Sequence, residues 1–259
     1  MIRFCTIVSG SSGNCAYVGI GSEHLLIDAG ISGKRCQHGL AQLNIPKPTA
    51  ILITHEHSDH IAGAGILARR FGIPVYATPL TWRYFLRHKK LGPINESQVQ
   101  HITPGQPIMI GDATVTAFDV PHDATQPVGY TFEAGGKKIA MATDLGKVTD
   151  TVLEYLHGSN AILIESNHDI EMLQKGRYHE SLKERVLGSR GHLSNAACGR
   201  LIVDVAWDGL KYVVLGHLSE ENNRPMLAFD TVDRILEAHG VGVRLVVADR
   251  YYVGEMMEV

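Results

Sequence analysis

Short apolar runs alternate with Gly/Ser turns over the first thirty residues, a pattern that predicts strands at Ile2–Val8, Cys15–Ile20 and His24–Asp28. Lys34–Leu43 changes to helical spacing and ends before Pro46, and Ala50–Ile53 is then a continuous apolar run that reads as a buried strand. A helix is predicted from near Asp59 to Phe71, stopped by Gly72 and Pro74, with a strand at Val75–Ala77 and a helix at Leu80–Lys89 after it. Two hairpins follow, Pro107–Ile110 with Ala113–Phe118 and Val128–Glu133 with Lys137–Ala142, turning at Gly111-Asp112 and Gly135-Gly136. Beyond them, Thr149–Leu156, Asn195–Ala206 and Met226–His239 read as helices, and Ala161–Glu165, Lys211–Leu215 and Val243–Val247 as strands. Strands dominate the middle of each half and helices flank them, which suits an α/β fold of two sheets packed face to face with helices outside. No repeat, low-complexity run or linker divides the chain, so one domain over residues 1–259 is expected.

Composition narrows the class. At 44% apolar and 20% charged residues the chain reads as an ordinary globular protein, and no stretch approaches the roughly 18 apolar residues of a membrane helix. The opening Met1-Ile2-Arg3-Phe4-Cys5 lacks the apolar core of a signal peptide, and Cys5, Cys15, Cys36 and Cys198 are scattered without a Cys-x-x-Cys pair. Both point to reduced thiols and a cytoplasmic location, with no membrane partner. A net charge of −3 argues against a protein held on nucleic acid by bulk charge, though not against a nuclease with a local basic groove. Neither a monomer nor a homodimer is specified. Histidine, at 14 residues, is the outlier.

Much of that excess falls in Thr54-His55-Glu56-His57-Ser58-Asp59-His60, directly after the apolar strand. His55 and His57 are two apart, so on extended backbone both rings point to one side. Asp59 and His60 follow at the turn into a helix. Four imidazole and carboxylate groups within six residues are the donors of zinc, manganese or iron sites. A solvated loop favours Lys, Glu, Ser and Gly instead.

This Thr-His-x-His-x-Asp-His segment, preceded by Leu26-Ile27-Asp28-Ala29-Gly30, resembles the metallo-β-lactamase superfamily. The same pattern continues in Pro121-His122-Asp123, Ala142-Thr143-Asp144 and Val214-Leu215-Gly216-His217, in the family's order. The resemblance implies a four-layer αββα sandwich with two mixed β-sheets. It implies that His55, His57 and His122 hold one divalent metal ion and Asp59, His60 and His217 a second, with Asp144 bridging them. Asp28 would lie behind the ligands and orient the histidine loop. The metals implied are zinc or manganese, with iron also compatible. Such a centre suits phosphodiesters, because two ions activate water and neutralise charge on phosphoryl oxygens.

Three further segments bear on the substrate. Gly191-His192-Leu193-Ser194-Asn195 is similar to a segment of the tRNA 3′-processing endonucleases, and Glu165 stands where those enzymes carry a Glu that pairs with its histidine. The catalytic candidates are therefore Asp59, His192 and Glu165, with a charged His192 protonating the leaving oxygen; capping of the next helix is the other reading of His192. The loop Ser9-Gly10-Ser11-Ser12-Gly13-Asn14 could cradle a phosphate through Ser9, Ser11, Ser12 and Asn14, helped by Asn167, or be a plain β-turn. Taken with Glu165-Ser166-Asn167-His168-Asp169 and Gly216-His217-Leu218-Ser219-Glu220-Glu221-Asn222-Asn223, that loop is similar to the bacterial YycJ/WalJ exonuclease family. This implies a 5′-to-3′ DNA exonuclease whose partner is nucleic acid, DNA rather than RNA. A cyclic-nucleotide-type phosphodiesterase or an RNA-processing nuclease is the alternative, and a thioesterase, glyoxalase or non-catalytic metal-binding module a more distant one.

The stretch between Asp144 and His217 is too short for an inserted β-CASP cap. Substrate would then rest on the bare core, and Arg69, Arg70 and the basic, aromatic-interleaved run from Thr81 to Lys90 are candidates to hold it, unless that run is a helix with a solvated basic face. His24, His38, His88, His101, His157, His179 and His239 follow no pattern, and His168 either lines the site or starts a helix.

Overall fold

The computed structural model describes residues 1–87 and 91–259; His88, Lys89 and Lys90 of the basic run lie outside the described residues. Fourteen strands β1 to β14 and nine helices α1 to α9 are assigned among the described residues. One sheet has the order β14-β1-β2-β3-β4-β5-β6 and the other β13-β12-β11-β10-β9-β8-β7. The first holds β1 (Ile2–Val8), β2 (Cys15–Ile20), β3 (Glu23–Ile27), β4 (Ala50–Leu52), β5 (Val75–Ala77), β6 (Val99–His101) and the returning β14 (Met257–Glu258). The second holds β7 (Pro107–Ile110), β8 (Ala113–Asp119), β9 (Val128–Ala134), β10 (Lys137–Ala142), β11 (Ala161–Glu165), β12 (Tyr212–Gly216) and β13 (Arg244–Val247). In each, antiparallel hairpins give way to parallel pairs, β3–β4–β5–β6 and β10–β11–β12–β13. The two halves therefore share a topology that their sequences do not display as a repeat.

Strand alternation explains the layers. In β4, Ala50 and Leu52 face the opposing sheet while Ile51 points to the helices; in β11, Ala161 and Leu163 face inward and Ile162 and Ile164 outward. One apolar layer thus lies between the sheets, containing Phe4, Val18, Leu25, Tyr130, Phe132 and Val214. Two more lie between each sheet and its helices. Strands buried on both faces read as unbroken apolar runs, and β2, β4 and β11 are buried throughout. The result is the αββα sandwich expected.

The helices are α1 (Gly33–Gln42), α2 (Ser58–Ile61), α3 (Ala64–Phe71), α4 (Pro79–Phe85), α5 (Asp150–Leu156), α6 (Ile170–Lys175), α7 (Glu180–Leu187), α8 (Asn195–Val205) and α9 (Pro225–Ala238). Two differences from the sequence expectation matter. The single helix from Asp59 to Phe71 is broken into α2 and α3 at Gly63, whose N–H donates to Ala29 O and whose absent Cβ would meet Ile31 O at 2.2 Å. Helices α6 and α7, between Ile170 and Leu187, have no strong apolar period, and β6 and β14 are two or three residues long and form only by pairing with β5 and β1. No helix among the described residues is long and apolar enough to cross a membrane.

Several side chains of the basic segments have partners in the fold itself. Arg69, near the far end of α3, donates to Leu91 O and Pro93 O and so ties down a loop. In α4, Trp82 and Phe85 are buried, with Trp82 Nε1 donating to Gln100 O, so these two aromatic residues serve the core, while Tyr84 is exposed.

Candidate metal centre

Parallel strands place their carboxyl ends along one rim of each sheet, and ligands in open α/β sheets bind at such rims. Asp28 follows β3, His55 follows β4, Asp144 follows β10, Glu165 ends β11 and His217 follows β12. His122 comes from the β8–β9 connection. Three of these residues leave their strands in left-handed backbone, Asp28 at φ 60°, Asp144 at 57° and His217 at 54°. A β-branched or bulky residue is strained there, and the turn re-aims each side chain over the sheet edge.

Four overlapping groups of metal-competent atoms result among the described residues: the triads His55–His57–His122 and Asp59–His60–His217, with His55–His60–Asp144 and Asp144–Glu165–His192–His217 joining them. His55 Nε2 lies 3.0 Å from His57 Nδ1, and His122 Nε2 lies 3.3 Å from the same atom. Tetrahedral ligands about 2.1 Å from one ion are separated by about 3.4 Å, so this spacing fits. Asp144 reaches both groups: Oδ1 is 3.6 Å from His122 Nε2 and Oδ2 is 3.2 Å from His60 Nε2. His217 Nε2 and Asp144 Oδ2 are buried without a hydrogen-bond partner among the described residues. Buried polar atoms left without a partner cost free energy that a bound cation would recover, so these residues fit divalent metal ions.

Three of the rings are held from behind. His60 Nδ1 lies 2.7 Å from Asp28 Oδ2, and Asp28 also accepts from Thr54 N and Thr54 Oγ1, both at 2.8 Å. That hydrogen bond leaves His60 Nε2 for the centre. His122 Nδ1 faces Gly191 O at 3.1 Å, and His217 Nδ1 faces Glu165 Oε1 at 2.7 Å. Glu165 is therefore shared: Oε1 also lies 2.8 Å from His192 Nδ1, while Oε2 accepts from Leu145 N and Leu193 N at 2.9 Å. The expected Glu165–His192 pair is present, and Glu165 holds His217 as well.

Electrostatics agrees. Burial alone would push the carboxyls up, yet His60 and His217 hold Asp59 and Asp144 well below the usual carboxylate range, and His192 and His217 pull Glu165 down to about 2. In turn burial opposes charge on His217, and Asp144, Asp59 and Glu165 outweigh it, raising the imidazole to about 10. Carboxylates this firmly ionised in a buried site attract cations.

The phosphate candidates divide. Ser9 Oγ accepts from His217 N at 2.9 Å and donates to Asn14 Oδ1, whose amide also bonds Gly10 N and Gly10 O; Asn14 Nδ2 lies 3.1 Å from His60 Nε2. Ser9 and Asn14 are buried, and their side chains bond the backbone of His217 and the ring of His60. Asn167 donates to His217 O at 2.8 Å, while Ser11 and Ser12 are exposed on the rim. His168 is buried, belongs to no metal-competent group and is held down at about 4 by desolvation, a neutral core residue.

Two supports went unread in the sequence. Glu56 alternates with His55 and His57, so it points the other way, and its Oε1 accepts from Thr125 N at 2.7 Å, locking the loop that carries His122. That alternation was the available signal. Gly30 lies under the Asp59 turn, its absent Cβ only 1.5 Å from Asp59 O. Gly30→Ala must displace that turn, and we expect divalent metal binding to weaken about 10- to 100-fold, read by metal titration; unchanged affinity would show that the loop absorbs the methyl.

Residues 23–218 match the Beta-lactamase superfamily domain. The chain is 43% identical over 244 residues to an exodeoxyribonuclease YycJ of Bacillus anthracis, covering 93% of this chain and 92% of that protein. It is 41% identical over 252 residues to an exodeoxyribonuclease WalJ of Streptococcus pneumoniae, covering 95% and 93%. Among solved structures, the metallo-β-lactamase fold protein YhfI of Bacillus subtilis superposes with a TM-score of 0.71 at 18% identity, covering 98% of this chain and all of that one.

Proposed function

The chain belongs to the β-lactamase superfamily, in the branch of the YycJ and WalJ exodeoxyribonucleases, and on that premise we propose that it degrades DNA from a strand end by metal-dependent phosphodiester hydrolysis. It is a metal-dependent hydrolase, and metal-dependent nuclease is the function its relatives support. Our finer reading is that DNA rather than RNA is the substrate, that digestion runs 5′ to 3′, and that the ions are zinc or manganese. We read residues 1–259 as one such domain without a β-CASP insertion, because the span from Asp144 to His217 is taken up by α5 to α8, β11 and β12.

The observation that carries the reading is the His192–Glu165 pair beside two metal-competent triads. His55, His57 and His122, and Asp59, His60 and His217 together with Asp144, would hold divalent ions, which would lower the pKa of water toward neutrality and neutralise charge on phosphoryl oxygens. Glu165 holds His192 through Nδ1, which leaves Nε2 to meet the leaving oxygen. Burial opposes the imidazolium, but the Glu165 carboxylate and its hydrogen bond outweigh burial and hold His192 above its ordinary value. A proton is thus stored where a departing alkoxide needs one. A thiolate leaves without that help, so a thioesterase would have no task for the pair.

The test is a panel with metal-loaded protein: 5′-phosphorylated linear DNA, a precursor tRNA, a cyclic nucleotide and a thioester. DNA is expected to be consumed fastest, from its 5′ end. Turnover of the thioester alone would overturn the nuclease reading, and consumption from the 3′ end would reverse the direction.

A further inference from the structure

A polyanion is held by cations fixed where its phosphates pass, and a chain with a net charge of −3 exerts no general pull on one. The charged groups bordering the centre are therefore decisive, and its edges differ. Past the ends of β12 and β13, Arg224 and Arg250 share a cavity with Glu220 and Asp249, so two positive charges are balanced by two negative ones. Arg250 Nη1 donates to Glu220 Oε2 at 2.9 Å, which leaves it little for an incoming anion. Arg185 on α7 is likewise met by Asp123.

Arg190 is placed otherwise. It stands one residue before Gly191, whose carbonyl faces the His122 ring, and two before His192. Its Nε donates to His122 O at 3.0 Å and its Nη2 to Ala124 O at 3.4 Å, so the guanidinium is anchored on the backbone of a candidate metal ligand. Those carbonyls carry no net charge, and among the described residues no carboxylate pairs with Arg190. The acids around that loop are engaged elsewhere, Asp123 with Arg185 and the buried Glu56 with Thr125. Arg190 is exposed, and a guanidinium has further N–H groups to offer an anion.

Lys147 extends this edge. The absent Cβ of Gly146 would lie 2.6 Å from Arg190 Cα, so the chain leading into Lys147 runs against Arg190. Lys147 is exposed and pairs with no carboxylate among the described residues, Asp150 three residues on included.

We propose that Arg190, with Lys147 beside it, binds an uncleaved backbone phosphate of the substrate strand next to the scissile one, so that the strand crosses the centre over this edge and not over the Arg224–Arg250 side. The inference rests on the nuclease reading above. A guanidinium presents parallel N–H groups to two phosphate oxygens, and one already oriented by two carbonyls loses little freedom in meeting them. Because Gly191 alone separates Arg190 from His192, a phosphate on the one and a leaving oxygen on the other belong to neighbouring positions of one strand. Such a contact positions the strand and reads no base.

Salt dependence tests it on the intact metal-loaded chain, with 5′-phosphorylated linear DNA. Arg190→Gln is expected to raise KM about 10- to 100-fold, the range for losing a charge-assisted hydrogen bond, with kcat falling by less. Each phosphate contact contributes about 0.9 to the log–log slope of affinity against salt on duplex DNA, so the slope should fall by about one. Lys147→Gln should lower the slope as well, with a smaller rise in KM, whereas Arg224→Gln should leave both at wild-type values. From the DNA side, one neutral methylphosphonate at the second or third linkage from the 5′ end should slow wild-type protein and bring no further loss in Arg190→Gln. A wild-type slope in both Arg190→Gln and Lys147→Gln would overturn the phosphate contact, as would a methylphosphonate penalty undiminished in Arg190→Gln. An effect of Arg224→Gln as large as that of Arg190→Gln would overturn the choice of edge. Metal content is measured throughout, because Arg190 also braces His122: metal lost at an unchanged slope would reduce Arg190 to a structural support. Should Arg190→Gln fail to fold, Lys147→Gln decides in its place, since that side chain makes no hydrogen bond among the described residues. Wild-type protein that cuts no nucleic acid at all would overturn the nuclease reading itself.

Discussion

Asp144→Asn is expected to lower turnover about a thousandfold and to strip bound divalent metal from the protein. Asp144 is the one carboxylate that approaches both triads, 3.6 Å from His122 Nε2 and 3.2 Å from His60 Nε2, and it is buried. Asparagine keeps the shape and tolerates the left-handed backbone that Asp144 adopts, so the substitution removes charge with little added strain. Two effects then add. The imidazoles lose the anion that draws cations to them, and phosphoryl charge loses several kcal/mol of metal stabilisation, about three powers of ten in rate. Metal analysis after gel filtration, beside turnover on linear DNA, makes the check. A variant with wild-type metal content and turnover would remove Asp144 from the centre.

His192→Ala should behave differently, losing about 10²- to 10⁴-fold in turnover, the range for a positioned proton donor, while metal content stays at the wild-type level. The reason is geometric. His192 is hydrogen-bonded to Glu165 and its Nδ1 stands 3.7 Å from Asp144 Oδ1, and its removal leaves the Glu165–His217 contact and the two backbone N–H bonds from Leu145 and Leu193 in place. Glu165→Gln is the contrasting variant: it weakens the hold on both rings, so metal affinity should fall along with turnover. Loss of metal in His192→Ala would show that His192 is itself a ligand. A DNA analogue with an activated leaving group, such as a phenolate, should narrow the His192→Ala deficit, because a good leaving group needs no proton.

Much of the site was legible because metal chemistry restricts side chains to a few types at short spacings. Thr54 to His60 could be picked out as donors from spacing alone, His122, Asp144 and His217 only through the resemblance to the superfamily, and the packing of two sheets between helices followed from strand runs that alternate or stay apolar throughout. The supports were less legible, since they depend on distances that sequence spacing does not encode. The Gly191 carbonyl, 69 residues from His122, fixes that ring. Ser9 and Asn14 look the same in sequence whether they bind a phosphate or brace His217 and His60. The break at Gly63 exists because the segment from Ala29 to Ile31 crosses it, and α6 and α7, too short to hold helical form alone, take their shape from packing.

By itself, then, the sequence determined the kinds of atoms available and the order of the elements that carry them, because hydrophobic period and donor chemistry are local properties of the chain. Only the tertiary structure decided which oxygen faces which nitrogen. Six strand ends and connections from two sheets meet at one rim, and there Glu165 became the partner of two histidines and Arg190 the brace of the His122 backbone. Those outcomes depend on parallel strands ending together, and packing, not spacing, sets that register.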